Sequence, residues 1–394
     1  MWNPFKKNEK RSKSLDQLLA LNNLGGSGQY VSANTSESIP AVYCAVATIA
    51  DAVATLPIHL YKRINDGKQR ANSHHVEQLL DESPNSYQTP FELKQTLMRA
   101  VLLYGNGYLL IVHDNSGRAI ELHNINPTAC TPVRLSQNRI GYKYTDEQGK
   151  QHALHYEEIL HIKHASEDGI NGRSPITVCR DNLGMALSMQ EHGSNVMKNG
   201  VYAQGILTTD SVFSDDNAIQ RLKEQWKEYS GSSSSGKTPI LENGLKYQAL
   251  SMTNSDLQFL ESRNLSIADI ARMFKISPMM LQDLSNGTYS NFAESNRAFL
   301  SNTLRPWLTN LQQGFVKALI PNKHQSQYII EFNTKDLLRA NTQERFESYD
   351  IAIRNGIICP NEARAAENMQ PRADGDDYSQ SWLNQLSQAE HEKQ

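Results

Sequence analysis

GSSSSGKT, Gly231–Thr238, satisfies G-x-x-x-x-G-K-[ST] letter for letter, the pattern of a loop that cradles nucleotide phosphates. Its reading decides the fold. A working phosphate loop follows a strand and opens a helix, so that backbone N–H groups and a helix N-terminus meet the phosphates, and it belongs to a parallel α/β sheet. Here the preceding stretch, SDDNAIQRLKEQWKEY, is an amphipathic helix carrying Lys223, Trp226 and Lys227, with Ser214 placed as its cap. Pro239 follows the loop and leads into a short strand, PILEN, and the turn Asn243-Gly244. No apolar strand ending in Asp follows to hold a magnesium ion. The pattern arises by chance in roughly one or two per cent of chains of this length. Gly231–Thr238 reads as a flexible serine-rich loop.

Outward from the loop, strand QGILTT, the capped helix and a hairpin of PILEN with LKYQAL make an insert of some fifty residues. Two long helices flank it. Ser174 caps and Pro175 opens the first, about six turns ending near Gly200, and the second runs from Asp256 to Lys275. Before them, AVYCAVATIADAVATL predicts a buried helix ending before Pro57, and IHLYKRI a strand turning at DGK. HHVEQLLDESPN predicts a short helix, and TPFELKQTLMRAVLLYG a longer one capped by Thr89 with Pro90 in its first turn. NGYLLIVHD, IELHNINP and EEILHIKH predict strands. Beyond SNGTYSN, a helical run through FAESNRAFLSNTLRPWLTNLQQGFVKALI should kink at Pro306. Strand QYIIEF and two helices follow, the first ended by Gly356. The fold class is α+β.

The 394 residues are 39% hydrophobic and 21% charged, an ordinary globular composition. No apolar run predicts a membrane span, since Asp51 and Pro57 break Ile39–Leu60. The basic N-terminus, MWNPFKKNEKRSKS, lacks a secretory apolar stretch and reads as a flexible arm. Four distant cysteines, Cys44, Cys130, Cys179 and Cys359, suit reduced thiols. A net charge of −3 does not suggest a tight duplex binder, whose affinity comes from neutralising phosphates. Ile267–Leu284 scans like a helix-turn-helix, but PMMLQDLSNG offers no Lys or Arg to bases or phosphates, and a structural corner is expected instead. His152, His155, His161 and His164 lie on two predicted strands without a fourth ligand at a telling spacing, so no metal site is expected. No catalytic constellation and no cofactor site stand out.

Six segments, in order, carry a resemblance: SIPAVYCAVATIADAVATLPIHLYKR, LLYGNGYLLI, INGRSPI, FLESRNLSIADIARMFKISPMMLQDL, TYSNFAESNRAFLSNTLRPWL and GIICPNEARAAENM. From about Ser36 to Pro371 the chain resembles portal proteins of tailed double-stranded DNA bacteriophages, of the smaller siphophage type. The resemblance implies a non-enzymatic ring of roughly twelve subunits at one capsid vertex, closed by head-to-tail interfaces. A separate terminase ATPase would pump double-stranded DNA in through its channel, without sequence specificity, and the DNA would later leave by it. It implies the major capsid protein and head–tail connector proteins as further partners, no membrane, and a place in the virion after assembly in the host cytoplasm. On this reading residues 1–35 are the arm and 36–173 an α+β wing. Residues 174–202 and 254–276 are stem helices around a clip at 203–253. Residues 277–291 hold the tunnel loop, 292–336 a kinked helix and wing strand, 337–371 a helical crown, and 372–394 a mobile tail. DNA would pass Asn286, Gly287, Thr288, Tyr289, Ser290 and Asn291. Terminase and connectors would dock on the clip through Lys223, Trp226, Lys227, Lys237 and Lys246. The family often has a charged residue before T-Y-S-N; Ser285-Asn286-Gly287 has none.

Overall fold

Small and β-branched residues stay helical when one face is buried and a proline sits where no N–H is needed. In the computed structural model, α1 (Ala33–Glu37) is one turn capped by Ser32, and α2 (Pro40–Thr55) opens on Pro40. Val42, Ala45, Val46, Ile49, Ala50 and Val53 recur at helical spacing and are shut off from solvent. The structure describes residues 26–65, 67–136, 139–199, 205–208, 220, 223–224, 246–249, 267–283, 289–334, 342–367 and 369–378. They divide into two units, Met1–Phe332 and Asn333–Gln394.

In the first unit, β1 (Ile58–Ile64) and β2 (Gly67–Arg70) form the expected hairpin, and α3 (His75–Asp81) follows. Helix α4 (Pro90–Tyr104) carries the predicted cap: the Thr89 hydroxyl accepts from the Glu92 N–H at 3.2 Å, and the Glu92 carboxylate accepts from the Thr89 N–H at 2.8 Å. Its Leu93, Leu97, Met98 and Val101 meet α2 in the main core. Lys94 is buried with them and its ammonium donates to the Leu56 carbonyl at 2.6 Å; burial pushes its pKa down to about 8.

An antiparallel sheet is built from β3 (Asn106–His113), β4 (Ala119–Ile125) and β8 (Ile159–Lys163), in the order β4-β3-β8. Between β4 and β8 lie β5 (Cys130–Arg134), β6 (Ile140–Thr145) and β7 (Gln151–Leu154), a second sheet in the order β5-β6-β7. A small satellite core of Tyr108, Ile125, Cys130 and Ile159 packs with Tyr142 and Leu154. The hairpin of β1 and β2 gains its third strand from outside residues 36–173. Far along the chain, β11 (Tyr328–Phe332) pairs with β1 in the register Ile58↔Phe332 and Leu60↔Ile330, giving the order β11-β1-β2.

The first stem helix departs from expectation. It begins at Pro175 under Ser174, but it is two helices, α5 (Pro175–Val178) and α6 (Arg180–Asn199), separated where Cys179 takes φ −101 and ψ 22. The backbone opens for one residue just after the β-branched pair Thr177-Val178. Residues 26–35, expected within the arm, are ordered parts of the first unit. From Gly26 onward the chain is attached to the first unit, with the Gly26 N–H donating to Asp181 Oδ1 at 2.8 Å.

Of the insert, β9 (Gly205–Thr208) pairs antiparallel with β10 (Lys246–Ala249), so KYQA has GILT as a neighbour. PILEN and the Gly231–Thr238 loop lie outside the described residues. The late helical run is α7 (Tyr289–Ala298), a π turn at Phe299–Leu304 and α8 (Arg305–Leu319). Pro306, whose missing N–H should disturb a helix, is the second residue of α8 and follows the π turn without a break in helical backbone, the Arg305 N–H donating to the Leu300 carbonyl. The disturbance is taken up one turn earlier as wider π hydrogen bonding.

The second unit holds α9 (Thr342–Arg354) and α10 (Pro360–Ala366). Gly356 ends α9 at φ +66, as its sequence predicts. Residues just past 372 are not a loose tail. Buried Asn361 accepts from the Arg372 N–H at 2.9 Å and donates to the Arg372 carbonyl at 3.1 Å and to Asp376 at 2.9 Å.

Two quoted motifs meet in the first unit. Gly105 ends α4 at φ +77, and a Cβ there or on Gly172 would overlap backbone of the other segment. Asn106 seals the contact: its Oδ1 accepts from the Gly172 N–H at 2.7 Å, and its Nδ2 donates to the Gly172 carbonyl at 3.1 Å. That same Oδ1 lies 2.9 Å from His161 Nε2, while His161 Nδ1 lies 3.3 Å from the Tyr142 hydroxyl. Burial, with the Lys163 charge adding to it, lowers the His161 pKa to about 3.

Replacing Gly172 by Ala should cost more than about 2 kcal/mol in urea unfolding, whereas Gly67→Ala, with open space around it, should stay within about 0.5 kcal/mol. His161 is neutral in the fold and binds its proton below about pH 6.5 once unfolded. Its contribution is therefore full above pH 6.5 and falls as pH drops toward 3, by at most about 1.4 kcal/mol per pH unit. Thermal unfolding followed between pH 7 and pH 4 should show a shallower decline for His161→Gln than for the native chain.

Candidate functional site

The segments expected to leave and re-enter the body as the stem are held at one joint. On the outgoing side, the Ser174 hydroxyl donates to the Leu103 carbonyl at 2.6 Å and accepts from the Thr177 N–H at 3.3 Å. Cap and anchor are one residue. On the returning side, residues 267–274 are helical with Ile270, Ala271 and Phe274 buried. That helix stops in a Schellman-type turn. The Ile276 N–H donates to the Ala271 carbonyl at 2.9 Å and the Lys275 N–H to the Arg272 carbonyl at 3.1 Å, with Lys275 at φ +56. A lysine in this left-handed position costs about 1 kcal/mol that glycine would avoid.

The π turn supplies the matching half. Thr303, 4% exposed, donates its hydroxyl to the Lys275 carbonyl. One turn on, the Trp307 ring stacks on His164 with centroids 5.3 Å apart, and Asn310 Nδ2 donates to the Lys163 carbonyl at 3.0 Å. Leu308, Leu311 and Phe315 carry α8 into the main core. A cleft of about 270 Å³ remains at the joint, bordered by His164, Pro175, Phe274, Lys275, Thr303 and Trp307. Ala165, at φ +40, also lines it, so two left-handed non-glycine residues flank one cleft.

Of the predicted channel residues, Tyr289, Ser290 and Asn291 form the first turn of α7, and Asn286, Gly287 and Thr288 lie outside the described residues. Of the predicted docking residues, Lys223 is helical and exposed and Lys246 opens β10, also exposed. Trp226, Lys227 and Lys237 lie outside the described residues. The sequence reading missed Thr303, Asn310 and Asn106, which act through backbone contacts more than 25 residues away. Only the Asn-Gly at 106–107, odd at the head of an apolar strand, hinted at one of them.

The helix-turn-helix alternative fails on geometry. After residues 267–274 the chain makes only a 3₁₀ turn, Pro278–Leu281, ended by Gln282 at φ +64. A four-residue turn cannot lie in a major groove as a recognition helix does. The four histidines do not converge. His152 pairs with Asp146 at 2.8 Å, His161 sits between Asn106 and Tyr142, and His164 lies on Trp307. Among the described residues, His59, Glu77 and Asp81 bring ligand atoms within 4.8 Å of one another. Arg70 already forks between the two carboxylates, at 2.8 Å from Glu77 and 2.9 Å from Asp81, and supplies the positive charge an ion would bring. All four cysteines are free, and burial holds the Cys130 thiol up at about 12. Among the described residues no helix is long and apolar enough to cross a membrane.

Comparison with known proteins places this geometry. A family model described as phage portal protein matches residues 40–368. The probable portal protein of Streptomyces phage phiC31 is 28% identical over 368 residues, covering 90% of this chain and 80% of the relative. The portal protein of Enterobacteria phage HK97 is 27% identical over 343 residues, covering 86% and 80%. A solved neck of an empty GTA particle, computed with C6 symmetry, contains a chain of similar fold. Its TM-score is 0.64 at 25% identity, over 86% of this chain and 93% of that one.

Thr303→Val keeps the shape of the side chain but leaves the Lys275 carbonyl without its partner. The expected cost is about 1–3 kcal/mol in urea unfolding, and Ser301→Ala, on the exposed side of the same turn, should leave the midpoint unchanged.

Proposed function

This chain belongs to the phage portal protein family, and from that premise we propose how it works as a portal. It assembles into a closed ring of roughly twelve copies, joined head to tail so that one surface of each subunit meets a different surface of the next. The ring sits at one vertex of the capsid in the virion, having assembled in the host cytoplasm, and its central hole is the path of double-stranded DNA in both directions. The part is structural, and ATP hydrolysis belongs to a terminase docked on the residue 203–253 clip. Connector proteins take the same place afterwards, and the major capsid protein surrounds the ring.

The observation that carries this reading is the joint. Three helical segments far apart in sequence, opening at Pro175, ending at Lys275 and running through Thr303, border one cleft and share the main core, and Thr303 is bonded to Lys275. A subunit built this way presents one side of a channel from a fixed base. The charge balance suits a conduit as well. At net −3 the chain does not grip phosphates by counterion release, and a weakly held duplex slides. Tyr289, Ser290 and Asn291, with Asn286, Gly287 and Thr288 before them, offer the DNA polar contacts without an anchoring charge. Lys223, Trp226, Lys227, Lys237 and Lys246 give the clip a basic surface for its partners.

Class averages of the purified protein in negative stain should show rings with a central hole. A protein that stays monomeric at high concentration, and forms no rings when made together with capsid protein, overturns the reading. In the same preparation Lys237→Ala should leave ring yield unchanged, and no ATP hydrolysis should be measurable in either protein.

A further inference from the structure

The cleft at the joint has a one-sided lining. Lys163 and Lys275 border it beside apolar Leu102, Pro175 and Phe274, and among the described residues no Asp or Glu does. Burial, with the Lys317 charge adding to it, lowers the Lys163 pKa, and its ammonium donates to a neutral acceptor, the Gly169 carbonyl, at 2.6 Å. Asp168, whose charge opposes this, is taken up by the Ile170 and Asn171 N–H groups at 2.7 and 2.8 Å. Lys275 is exposed, and among the described residues its ammonium has no ion pair or hydrogen bond. It keeps its side chain at a left-handed position, φ +56, that glycine would fill at less cost. Unpaired positive charge beside apolar surface selects an anion. A cleft of about 270 Å³ falls below the usual range of small-molecule sites, about 300–1,000 Å³, and suits a single side chain.

Helix α7 carries a charge to match. Glu294, Asn296, Arg297 and Ala298 are all exposed, at positions that go round a helix at about 100° per residue. Of the side chains described in α7, Ser295 alone makes a hydrogen bond, to Met279 Sδ at 3.7 Å. A helix polar on every side and without ion pairs of its own is held by bridging to another body. Glu294 is the only carboxylate of α7, and among the described residues it is paired neither with Lys163 or Lys275 nor with any other group. We propose that the cleft receives Glu294 from a second copy of this chain, α7 of one subunit lying against the joint of the next, with its carboxylate between Lys275 and Lys163. This rests on the ring reading and names a contact that closes the ring. The two surfaces differ, helix on one side and cleft on the other, so the contact is head to tail and repeats around the ring in one sense.

Charge exchange in the full-length chain tests this, with rings and monomers counted by mass photometry over a dilution series. Lys275→Glu and Glu294→Lys should each raise the concentration needed for half-assembly about tenfold, because each sets like charges opposite one another. Both residues are exposed, so circular dichroism should show the variants folded as the native chain is. The double exchange, which keeps the net charge, should return to within about twofold of the native value. A mixture of the two single variants should also form rings, since every cleft then meets an opposite charge from the other variant. Single variants that assemble as the native chain does, or a double exchange no better than the singles, would overturn the proposal. Rescue by the double exchange without rescue by the mixture would put the pair inside one subunit and overturn it equally. A native chain that forms no rings strikes the ring reading and this contact together, whereas rings indifferent to the exchanges strike the contact alone.

Discussion

Backbone touching backbone at Gly105 and Gly172 is the contact on which the layout of the first unit turns. A side chain on either residue would occupy space already filled by the other segment. Because neither carries one, the end of α4, the start of β3 and the turn into α5 come together, and Asn106 closes the seam with both ends of its amide. Ser174 then takes its anchor from the Leu103 carbonyl. The direction in which the chain leaves the body is thus set by a steric exclusion before any hydrophobic burial is counted. Burial fixes the rest: α2 against α4, α8 against β8 and β11, and β11 returning to the edge of β1.

Most elements of the body were legible because their determinants are local. Thr89-Pro90 and Ser174-Pro175 announce helix starts through capping chemistry. Gly105 and Gly356 announce ends through left-handed backbone. IHLYKRI and NGYLLIVH announce strands through alternation or apolar runs. What stayed hidden is set by contacts at a distance. Nothing near Phe299 predicts a π turn; the turn holds Thr303 against a carbonyl 28 residues earlier, and Pro306 merely excludes the alternative of an uninterrupted helix. The break at Cys179 has the same character, as does the hold of Asn361 on residues past 372. Lys275 was unreadable for another reason. Glycine is the residue that marks a left-handed stop, and here a lysine fills that place.

The candidate site was legible as an address more than as chemistry. Matching segments in the right order located the joint and the start of α7, while the two motifs with chemical meaning were lures. By its sequence GSSSSGKT is flanked by neither the strand nor the helix that such a loop needs, and Ile267–Leu284 makes a corner where a reading helix would be needed. Both failures follow one rule: a short pattern carries function only through the elements on either side of it. A portal has little call for reactive side chains, so the informative residues are the ones that orient helices.

A π turn is what an α-helix becomes when it keeps one residue more than its hydrogen bonding calls for. Each α-helical residue advances the screw by about 100° and 1.5 Å. The wider turn between Phe299 and Leu304 takes up its surplus residue within that advance, so α7, back to Tyr289, keeps its register against α8. A single-codon deletion of exposed Ser301 or Asn302 would let the turn close to ordinary α bonding and leave the face that α7 presents nearly where it is. Indels of one residue, normally the most damaging change a buried helix can suffer, have at this place a reservoir that can absorb them.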